Sequence, residues 1–394
     1  MADTPSAPTP SASTPSATCD ADASWPTLGW RIGVEVELLA PLGVNREDLA
    51  LRLAAGAGGA VTRYFHPQTE PSLAPGVEVF DNLTLGFRVT DATGAWLASC
   101  VDDLTLQDDL DRGAPSKPGW FRVVSDDRRL LLLTAQLGRA DGSLADALDP
   151  VAAAFGTEAA HFPGGLMRVC DQSGAPVVMG ATLPGERERP CELVTAPLDA
   201  DHGARLDTLL QSARALGFTV PREAATHVHF DATALHNGHA IRNLVRLWQT
   251  WGPTLKTLVG TNPACRQLGD WPDGLVPCVE NAEFVGSPWP EVRESLEEVG
   301  LSKFCDLNLS HLALEHPAKD TIEVRVLPGM IDTDEILLCA ALFEALLHHA
   351  CAEATVERLP RRRFRLRQAR ALLQALPLAA EVRDYWLAVA EARG

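Results

Sequence analysis

Apolar and polar residues alternate over short stretches at several separated places along the chain. The first stretch is residues 30–39, Trp-Arg-Ile-Gly-Val-Glu-Val-Glu-Leu-Leu, which lies between Pro26 and Pro41. A short, β-branched run with this period predicts a strand with one polar and one apolar face. Side chains two positions apart on a strand point to the same face, so the sequence predicts that Glu35 and Glu37 project together.

The same kind of pattern predicts further strands and helices along the rest of the chain. Strands are predicted at 85–90 and 95–98, joined as a hairpin, and at 119–125, 177–179, 191–194, 226–231, 307–310 and 321–327. Helices are predicted at 45–55 with Asn45 as the N-cap, from Asp149, at 201–216, from Asn237 to a break at Pro253, at 291–299, at 332–354 with Asp332 and Glu335 as a capping box, and twice near the carboxyl terminus. Residues 261–290 are rich in Pro, Gly, Asn and Trp, which predicts a long functional loop or lid.

Composition limits the classes of function. The 394 residues include 34 Lys and Arg and 52 Asp and Glu, which gives a formal net charge of −18 at pH 7. This charge argues against binding to nucleic acid or to an anionic membrane surface. The sequence has no run of about 18 apolar residues, so no membrane span is predicted. The nine cysteines include no Cys-x-x-Cys pair, which indicates reduced thiols in a cytoplasmic protein.

Shifts in composition predict the domain organisation. Residues 1–25 are rich in Ala, Ser, Thr and Pro and carry only acidic charges, which predicts a disordered tail rather than a secretory signal. Residues 26–355 contain the alternating strands and are predicted to form one large domain. Residues 356–394 are predicted to pack on that domain. Their arginine-rich run at 361–367 is interpreted as a solvated or acid-paired face, with an anion or subunit contact as the alternative.

Three separated strands carry a polar pair at positions i and i+2, and a fourth strand carries one more carboxylate. The residues are Glu35 and Glu37, His227 and His229, Glu323 and Arg325, and Glu192. If the four strands share one sheet, these side chains collect on one surface. Carboxylates with an occasional imidazole are the ligand set for Mg²⁺ or Mn²⁺. Several such ions beside an arginine suit phosphoryl transfer from ATP.

Other interpretations of these residues stay open at this level. Each pair alone is also compatible with an ordinary polar strand face or a cross-strand ion pair. His227, His229 and Glu323 also match the ligands of an iron or zinc oxygenase or hydrolase. No P-loop, Rossmann or Gly-x-Ser-x-Gly motif is present in the sequence. Two other histidines, His348 and His349, are interpreted as structural. The remaining histidines considered lack partners at a useful spacing in the sequence: His66, His236, His239, His311 and His316.

Five short motifs, in this order, resemble those of the putative amidoligase family. This family belongs to the carboxylate–amine ligases of the glutamine synthetase and glutamate–cysteine ligase superfamily. The motifs are 33–37 (Gly-Val-Glu-Val-Glu), 192–197 (Glu-Leu-Val-Thr-Ala-Pro), 226–231 (Thr-His-Val-His-Phe-Asp), 307–311 (Leu-Asn-Leu-Ser-His) and 321–326 (Thr-Ile-Glu-Val-Arg-Val). Each motif is short, but the ordered set is specific, and the resemblance covers most of the chain.

The resemblance implies a fold and an activity. The fold is of the α+β class, with a curved, mainly antiparallel sheet like that of the glutamine synthetase catalytic domain and helices on its outer face. Residues 26–355 would then be the catalytic domain. The implied activity is an ATP-dependent ligase that uses Mg²⁺, or Mn²⁺, to join a small-molecule or peptide carboxylate to an amine through an acyl phosphate. A homo-oligomer is expected by analogy alone, and a non-catalytic nucleotide-binding relative is a further alternative.

The resemblance also implies which residues hold the metal ions. Glu37 and Glu192 are expected to hold one Mg²⁺, which positions the carboxylate substrate. Glu35, His227 and Glu323 are expected to hold a second ion, which bridges the ATP phosphates. The superfamily uses one more glutamate at the first ion, and the sequence alone does not place that residue.

Roles for four further residues follow from the same resemblance or from their position in the motifs. His229 is expected near the nucleotide phosphates, and Arg325 is expected to stabilise the transferred phosphoryl group. Lys303 precedes the 307–311 motif and is expected to contact the nucleotide. Asp231 is a candidate for the general base that activates the amine.

Overall fold

Twelve strands form one antiparallel sheet in the described part of the chain. The computed structural model describes residues 25–71, 79–183, 185–265, 268–314 and 319–394. The strands are β1 Ile32–Leu39, β2 Ala60–Pro71, β3 Val79–Thr90, β4 Trp96–Val101, β5 Phe121–Val124, β6 Ala160–Phe162, β7 Leu166–Cys170, β8 Pro176–Thr182, β9 Pro190–Thr195, β10 Ala225–Asp231, β11 Leu307–Asn308 and β12 Thr321–Pro328. Their order is β11-β12-β10-β1-β9-β4-β3-β5-β8-β7-β6, and β2 pairs with β3.

Helices connect and cover these strands. They are α1 Arg46–Ala57, α2 Arg128–Leu137, α3 Leu144–Ala154, α4 His202–Ala215, α5 Gly238–Val259, α6 Leu275–Glu280, α7 Ala282–Gly286, α8 Trp289–Glu298, α9 Ser310–Ala313, α10 Thr333–Cys351, α11 Leu366–Ala375 and α12 Ala380–Arg393. None of the helices among the described residues combines the length and the apolar character that a bilayer span requires. The predicted combination of helices with a large antiparallel sheet is confirmed. Residues 1–24 of the predicted tail lie outside the described part of the chain.

The core lies against the apolar face of the central strands. Val34 and Val36 of β1, Val228 of β10 and Val324 of β12 are fully buried. Helix α10 packs beside β10, α5 beside β12, and α1 beside β3 and β4. Because side chains alternate along a strand, burial of these valines directs the polar residues between them to the other face of the sheet.

The beginning of α1 follows its local sequence. The side chain of Asn45 accepts hydrogen bonds from the backbone nitrogens of Glu47 and Asp48, at 2.8 and 3.3 Å. The carboxylate of Asp48 accepts one in return from the nitrogen of Asn45, at 2.8 Å. This capping box satisfies backbone donors that the first turn of a helix leaves without partners, and the predicted N-cap is confirmed.

Two predictions based on proline are wrong. Helix α5 does not break at Pro253 but continues to Val259. A proline inside a helix costs about 3 kcal/mol, and burial of α5 side chains on both sides of it, including Trp248 and Leu255, outweighs that cost. Helix α3 does not begin at Asp149 but at Leu144, with Ser143 as its N-cap.

The structure shows why α3 tolerates Pro150. Proline has no backbone N–H to donate to the carbonyl of Asp146, four residues earlier. The nitrogen of Arg139 donates to that carbonyl instead, at 3.2 Å. The acceptor that the proline would leave unsatisfied therefore has a partner from outside the helix.

Two other predictions about local structure are also wrong. Asp332 makes no side-chain cap at the start of α10, and its carboxylate lies 3.7 Å from the guanidinium of Arg214 instead. The predicted loop at 261–290 contains α6, α7 and the first residues of α8. Trp271 anchors this region, since its side chain is buried and donates to the carbonyl of Leu307 at 2.6 Å.

Candidate active site

Neighbouring strands bring the predicted polar pairs together. Strand β1 lies between β9 and β10, and β12 follows β10. The register places Glu37 opposite Glu192 and Glu35 opposite His227. We call Glu35, Glu37, Glu192, His227, His229, Glu323 and Arg325 the polar cluster.

His227 lies at the centre of the polar cluster. Its Nδ1 is 3.3 Å from Glu35 Oε2 and 3.4 Å from Glu323 Oε1, and its Nε2 is 3.7 Å from Glu37 Oε1. The imidazole is buried, and its Nε2 makes no hydrogen bond within the described part of the protein. A buried nitrogen left without a hydrogen bond is costly, which suits a ligand to a cation.

A β-bulge shapes the pairing of β10 with β12. The register shifts between Thr226 and Val228, so that two residues of β12 oppose the single residue His227. Bulges re-aim side chains and are common beside active sites. Next to this one, the guanidinium of Arg325 donates to Glu323 Oε1 at 2.5 Å.

One half of the polar cluster is electrostatically compensated. Burial works to raise the pKa of Glu323, but the charges of Arg325 and of the two imidazoles outweigh burial and lower that pKa to about 2. Burial likewise opposes ionisation of Glu35, and the neighbouring His229 and His227 still hold its pKa well below the ordinary value. These two carboxylates are therefore ionised and paired.

The other half of the polar cluster, Glu37 and Glu192, is less well compensated. Burial raises the pKa of Glu37 well above the ordinary value, and the charges of Asp103 and Glu192 raise it further. Burial also raises the pKa of Glu192, with added repulsion from Glu35 and Asp103. Like charges in a buried site are unfavourable unless a cation joins them. This half fits a divalent cation with oxygen ligands.

The electrostatics predict how stability depends on pH when no ion is bound. In the unfolded chain these carboxyls have the ordinary glutamate pKa of 4.5 and lose their protons above that pH. In the folded chain the raised pKa values of Glu37 and Glu192 keep both carboxyls protonated to a higher pH. Their contribution to stability is complete below pH 4.5 and is lost as the pH rises through the raised values. We expect Glu192→Gln to unfold at a higher temperature than wild type at about pH 8 in EDTA, with a difference that shrinks toward pH 4.5.

Thermal unfolding across this pH range checks that expectation. Glu35 and Glu323 do not interfere, because their pKa values are lowered and their contribution is lost only as the pH falls below 4.5. Glu381→Gln, on an exposed position of α12, is the matched control and should follow wild type at every pH. If the unfolding temperature of Glu192→Gln had the same pH dependence as that of Glu381→Gln, the carboxylate of Glu192 would not be repelled by its neighbours in the folded protein.

Three residues join the site that the sequence did not identify as functional. Asp103 is buried at the end of β4, and its Oδ2 makes no hydrogen bond within the described residues. Asn308 donates to Glu323 Oε2 at 2.8 Å. His311 stacks beside His229 at 6.1 Å between ring centroids. Two features of the sequence could have pointed to these residues. They are the Asp-Asp pair at 102–103, which follows a strand, and the polar positions of the 307–311 motif.

His236, which has no partner at a useful spacing in the sequence, has partners in the folded chain. His236 lies 3.1 Å from a carboxylate oxygen of Asp320, and its ring stacks on Trp289 at 4.3 Å. Burial lowers the pKa of His66 and of His311 to about 4, so both are neutral at pH 7. His316 lies outside the described residues.

Lys303 and Asp231 lie at the border of the polar cluster. Burial of its ammonium, together with the positive charge of Arg325, lowers the pKa of Lys303. Asp231 forms an ion pair with Arg31. Burial works to raise the pKa of Asp231, but hydrogen bonds from Thr233 and the charge of Arg31 outweigh burial and lower that pKa. The carboxylate of Asp231 is therefore a weak base.

A cavity of about 320 Å³ adjoins the compensated half of the polar cluster. Glu35 and His229 form part of its wall, and Lys319, Trp96 and Thr321 also line it. Within the polar cluster and its surroundings, two groups of three side chains each place ligand atoms within 4.8 Å of one another. They are Glu35, Glu192 and His227, and His229, His311 and Glu323.

One known protein family matches more than half of the chain. The model of a family described as "putative amidoligase enzyme" matches residues 28–278, which is more than half of the chain. The matched part contains every residue of the polar cluster except Glu323 and Arg325. No curated protein matches the chain significantly.

Proposed function

Because this chain belongs to the amidoligase family, we propose that it is an ATP-dependent ligase that joins a carboxylate to an amine. The substrates would be a small-molecule or peptide acid and an amine. The sheet would have the curvature of the glutamine synthetase catalytic domain, with the polar cluster on its concave face. The observation that carries the proposal is the meeting of four carboxylates, two imidazoles and one guanidinium from β1, β9, β10 and β12 on one face of the sheet.

The residues present suit divalent cations. Glu37 and Asp103 are buried and Glu192 is half-buried, and the pKa values of all three carboxylates are raised, first by burial. We propose that Glu37 and Glu192 hold one Mg²⁺ or Mn²⁺, and that Asp103 supplies the further carboxylate which the sequence did not place. Glu35, His227 and Glu323 would hold the second ion. Bound ions would neutralise the charge of the phosphate groups and of the substrate carboxylate.

The protein's own residues would perform the remaining work. Arg325 would donate hydrogen bonds to the transferred phosphoryl group, while Glu323 holds its guanidinium in place. The substrate carboxylate attacks the γ-phosphorus, the bond to the β-phosphate oxygen breaks, and ADP leaves. The amine then attacks the acyl carbon of the acyl phosphate, loses a proton, and releases inorganic phosphate.

The cavity supports a location for the nucleotide. It opens beside Glu35 and His229, and Lys319 adds a positive charge to its wall. We propose that ATP enters from this side, with its phosphates near His229. Lys303 is retained as a proposed contact to the nucleotide. Asp231 is not proposed as the general base, because Arg31 already neutralises its carboxylate.

The proposed activity is tested by measuring ADP release. The full chain is mixed with ATP, Mg²⁺ and pairs of carboxylate and amine substrates, including amino acids and short peptides. The expected result is ADP release that requires both the acid and the amine, with one amide formed per ADP. Absence of amine-dependent ADP for every pair, together with absence of ATP binding by calorimetry, would contradict the proposal.

The two halves of the polar cluster predict two different kinetic defects. Glu35→Ala is expected to raise the KM for ATP by about tenfold or more, because it removes a ligand of the nucleotide ion. Glu37→Ala is expected to raise the KM for the carboxylate instead, by a similar factor. Steady-state kinetics with each substrate varied separately checks this division. Identical defects in the two variants would show that the halves do not have separate roles.

A further inference from the structure

We propose that His229, His311 and Glu323 bind one first-row transition-metal ion, such as Zn²⁺, beside the carboxylates of the polar cluster. The three side chains come from β10, α9 and β12, so only the folded protein brings them together. This inference goes beyond the ligase proposal, with which it shares Glu323. It does not depend on nucleotide binding or on turnover.

The geometry of the three side chains suits a single ion. Their ligand atoms lie within 4.8 Å of one another. Zinc–nitrogen bonds of about 2.0–2.1 Å place two tetrahedral ligands about 3.4 Å apart. The widest pair would therefore close by no more than about 1.4 Å.

Thr321 orients both imidazoles. Its Oγ1 lies 3.2 Å from Nδ1 of His229 and 3.2 Å from Nδ1 of His311. A hydroxyl oxygen has two lone pairs and can accept one N–H from each ring. When a metal binds, each ring would then offer the lone pair of its Nε2. Metal-binding histidines are held in this way, with the second ring nitrogen donating to an oxygen.

The nitrogen of His229 and the carboxylate of Glu323 are both prepared for a ligand. The Nε2 of His229 is buried and makes no hydrogen bond among the described residues, although it lies 3.2 Å from Glu35 Oε1. It is 3.9 Å from Glu323 Oε1. The amide of Asn308 holds the other oxygen of Glu323 at 2.8 Å, which fixes the orientation of the carboxylate.

The donor set selects the class of ion. Two imidazoles with one carboxylate suit Zn²⁺, Fe²⁺, Ni²⁺ or Cu²⁺, whereas Mg²⁺ prefers oxygen ligands. Glu37 and Glu192 offer only oxygen. A nitrogen-rich site for a transition metal would therefore lie directly beside the oxygen-rich site proposed for Mg²⁺.

Calorimetry with Zn²⁺ alone tests the site. The full chain is stripped with EDTA, supplied with excess Mg²⁺ to fill the oxygen sites, and titrated with Zn²⁺ in the absence of ATP. We expect one Zn²⁺ per chain in wild type and an affinity at least about tenfold weaker in His311→Gln. His161→Gln, an exposed histidine on β6, is the matched control and should bind like wild type.

A second readout counts the nitrogen ligands. With Cu²⁺ in place of Zn²⁺, electron paramagnetic resonance should show couplings to two imidazole nitrogens in wild type and to one in His311→Gln. Thr321→Val keeps all three ligands but removes the shared hydroxyl, and we expect its Zn²⁺ affinity to fall by about 10- to 100-fold. This variant separates loss of a ligand from loss of its orientation.

The outcomes are decisive in either direction. Equal Zn²⁺ affinity in wild type and His311→Gln, equal loss in His161→Gln, or no Zn²⁺ bound to wild type would each overturn the site. Since no ATP is present, such a result would leave the test of ADP release untouched. Failure to release ADP, conversely, would not remove Zn²⁺ binding.

Discussion

Replacing Arg325 with lysine is expected to lower kcat for amine-dependent ADP release by about 10³-fold. An arginine that stabilises a transferring phosphoryl group contributes about 10³–10⁵ to kcat, and a lysine lacks its planar, forked set of donors. Arg325 is 7% exposed and donates to Glu323 at 2.5 Å. Because lysine keeps the positive charge beside Glu323, we expect the variant to stay folded, with a nearly unchanged KM for ATP.

Arg361→Lys is the matched control for this prediction. Arg361 is exposed and pairs with Asp270 at 2.9 Å, so its replacement should leave kcat within about twofold of wild type. Single-turnover kinetics with the acid and amine pair that supports ADP release measures both variants. If Arg325→Lys retained more than about a tenth of the wild-type rate, Arg325 would not stabilise the transferred group.

Replacing Asp102 with alanine is expected to lower the free energy of unfolding by about 3–5 kcal/mol. The carboxylate of Asp102 is fully buried, accepts from Arg187 at 2.8 Å and lies 3.6 Å from the buried guanidinium of Arg46. Removing one member of a buried ion pair leaves the partner charge uncompensated. Here two guanidiniums would lose that compensation, although Arg46 would keep its contacts to backbone carbonyls and to the face of Trp120, 4.6 Å away.

Urea unfolding of the full chain measures this loss as a lower midpoint with an unchanged slope. Asp141→Ala is the control, because Asp141 pairs with Arg139 on the surface at 3.2 Å. We expect no measurable shift for that variant, since exposed ion pairs contribute little to stability. Similar midpoints for Asp102→Ala and Asp141→Ala would show that neighbouring groups or water compensate the two arginines.

Local chemistry made several elements predictable from the sequence. The period-2 pattern around Glu35 and His227 correctly marked β1 and β10, because alternation of side chains is a property of each strand by itself. The capping box at Asn45 depends on residues three positions apart, so it was also visible in the sequence. The condition that the strands with polar pairs share one sheet is met, but alternation within each strand could not show it, because strand pairing is a long-range property.

Long-range packing overruled the sequence at other positions. Helix α5 passes through Pro253 because burial of its apolar side chains outweighs the loss of one hydrogen bond. Strand β2 was not predicted, because it is stabilised by pairing along its whole length with β3. A pattern within β2 alone does not show that pairing. The contribution of Asn308 and His311 to the site likewise depends on where β11 and α9 lie beside β12.

The sequence by itself determined which side chains share a face of each strand, because that depends only on the alternation of the backbone. It placed Glu35 with Glu37, His227 with His229, and Glu323 with Arg325. Only the tertiary structure decided the order β9-β1-β10-β12 and the bulge opposite His227. It also divided the carboxylates into two with lowered pKa values and two with raised pKa values, since a pKa depends on burial and on charges that approach through space.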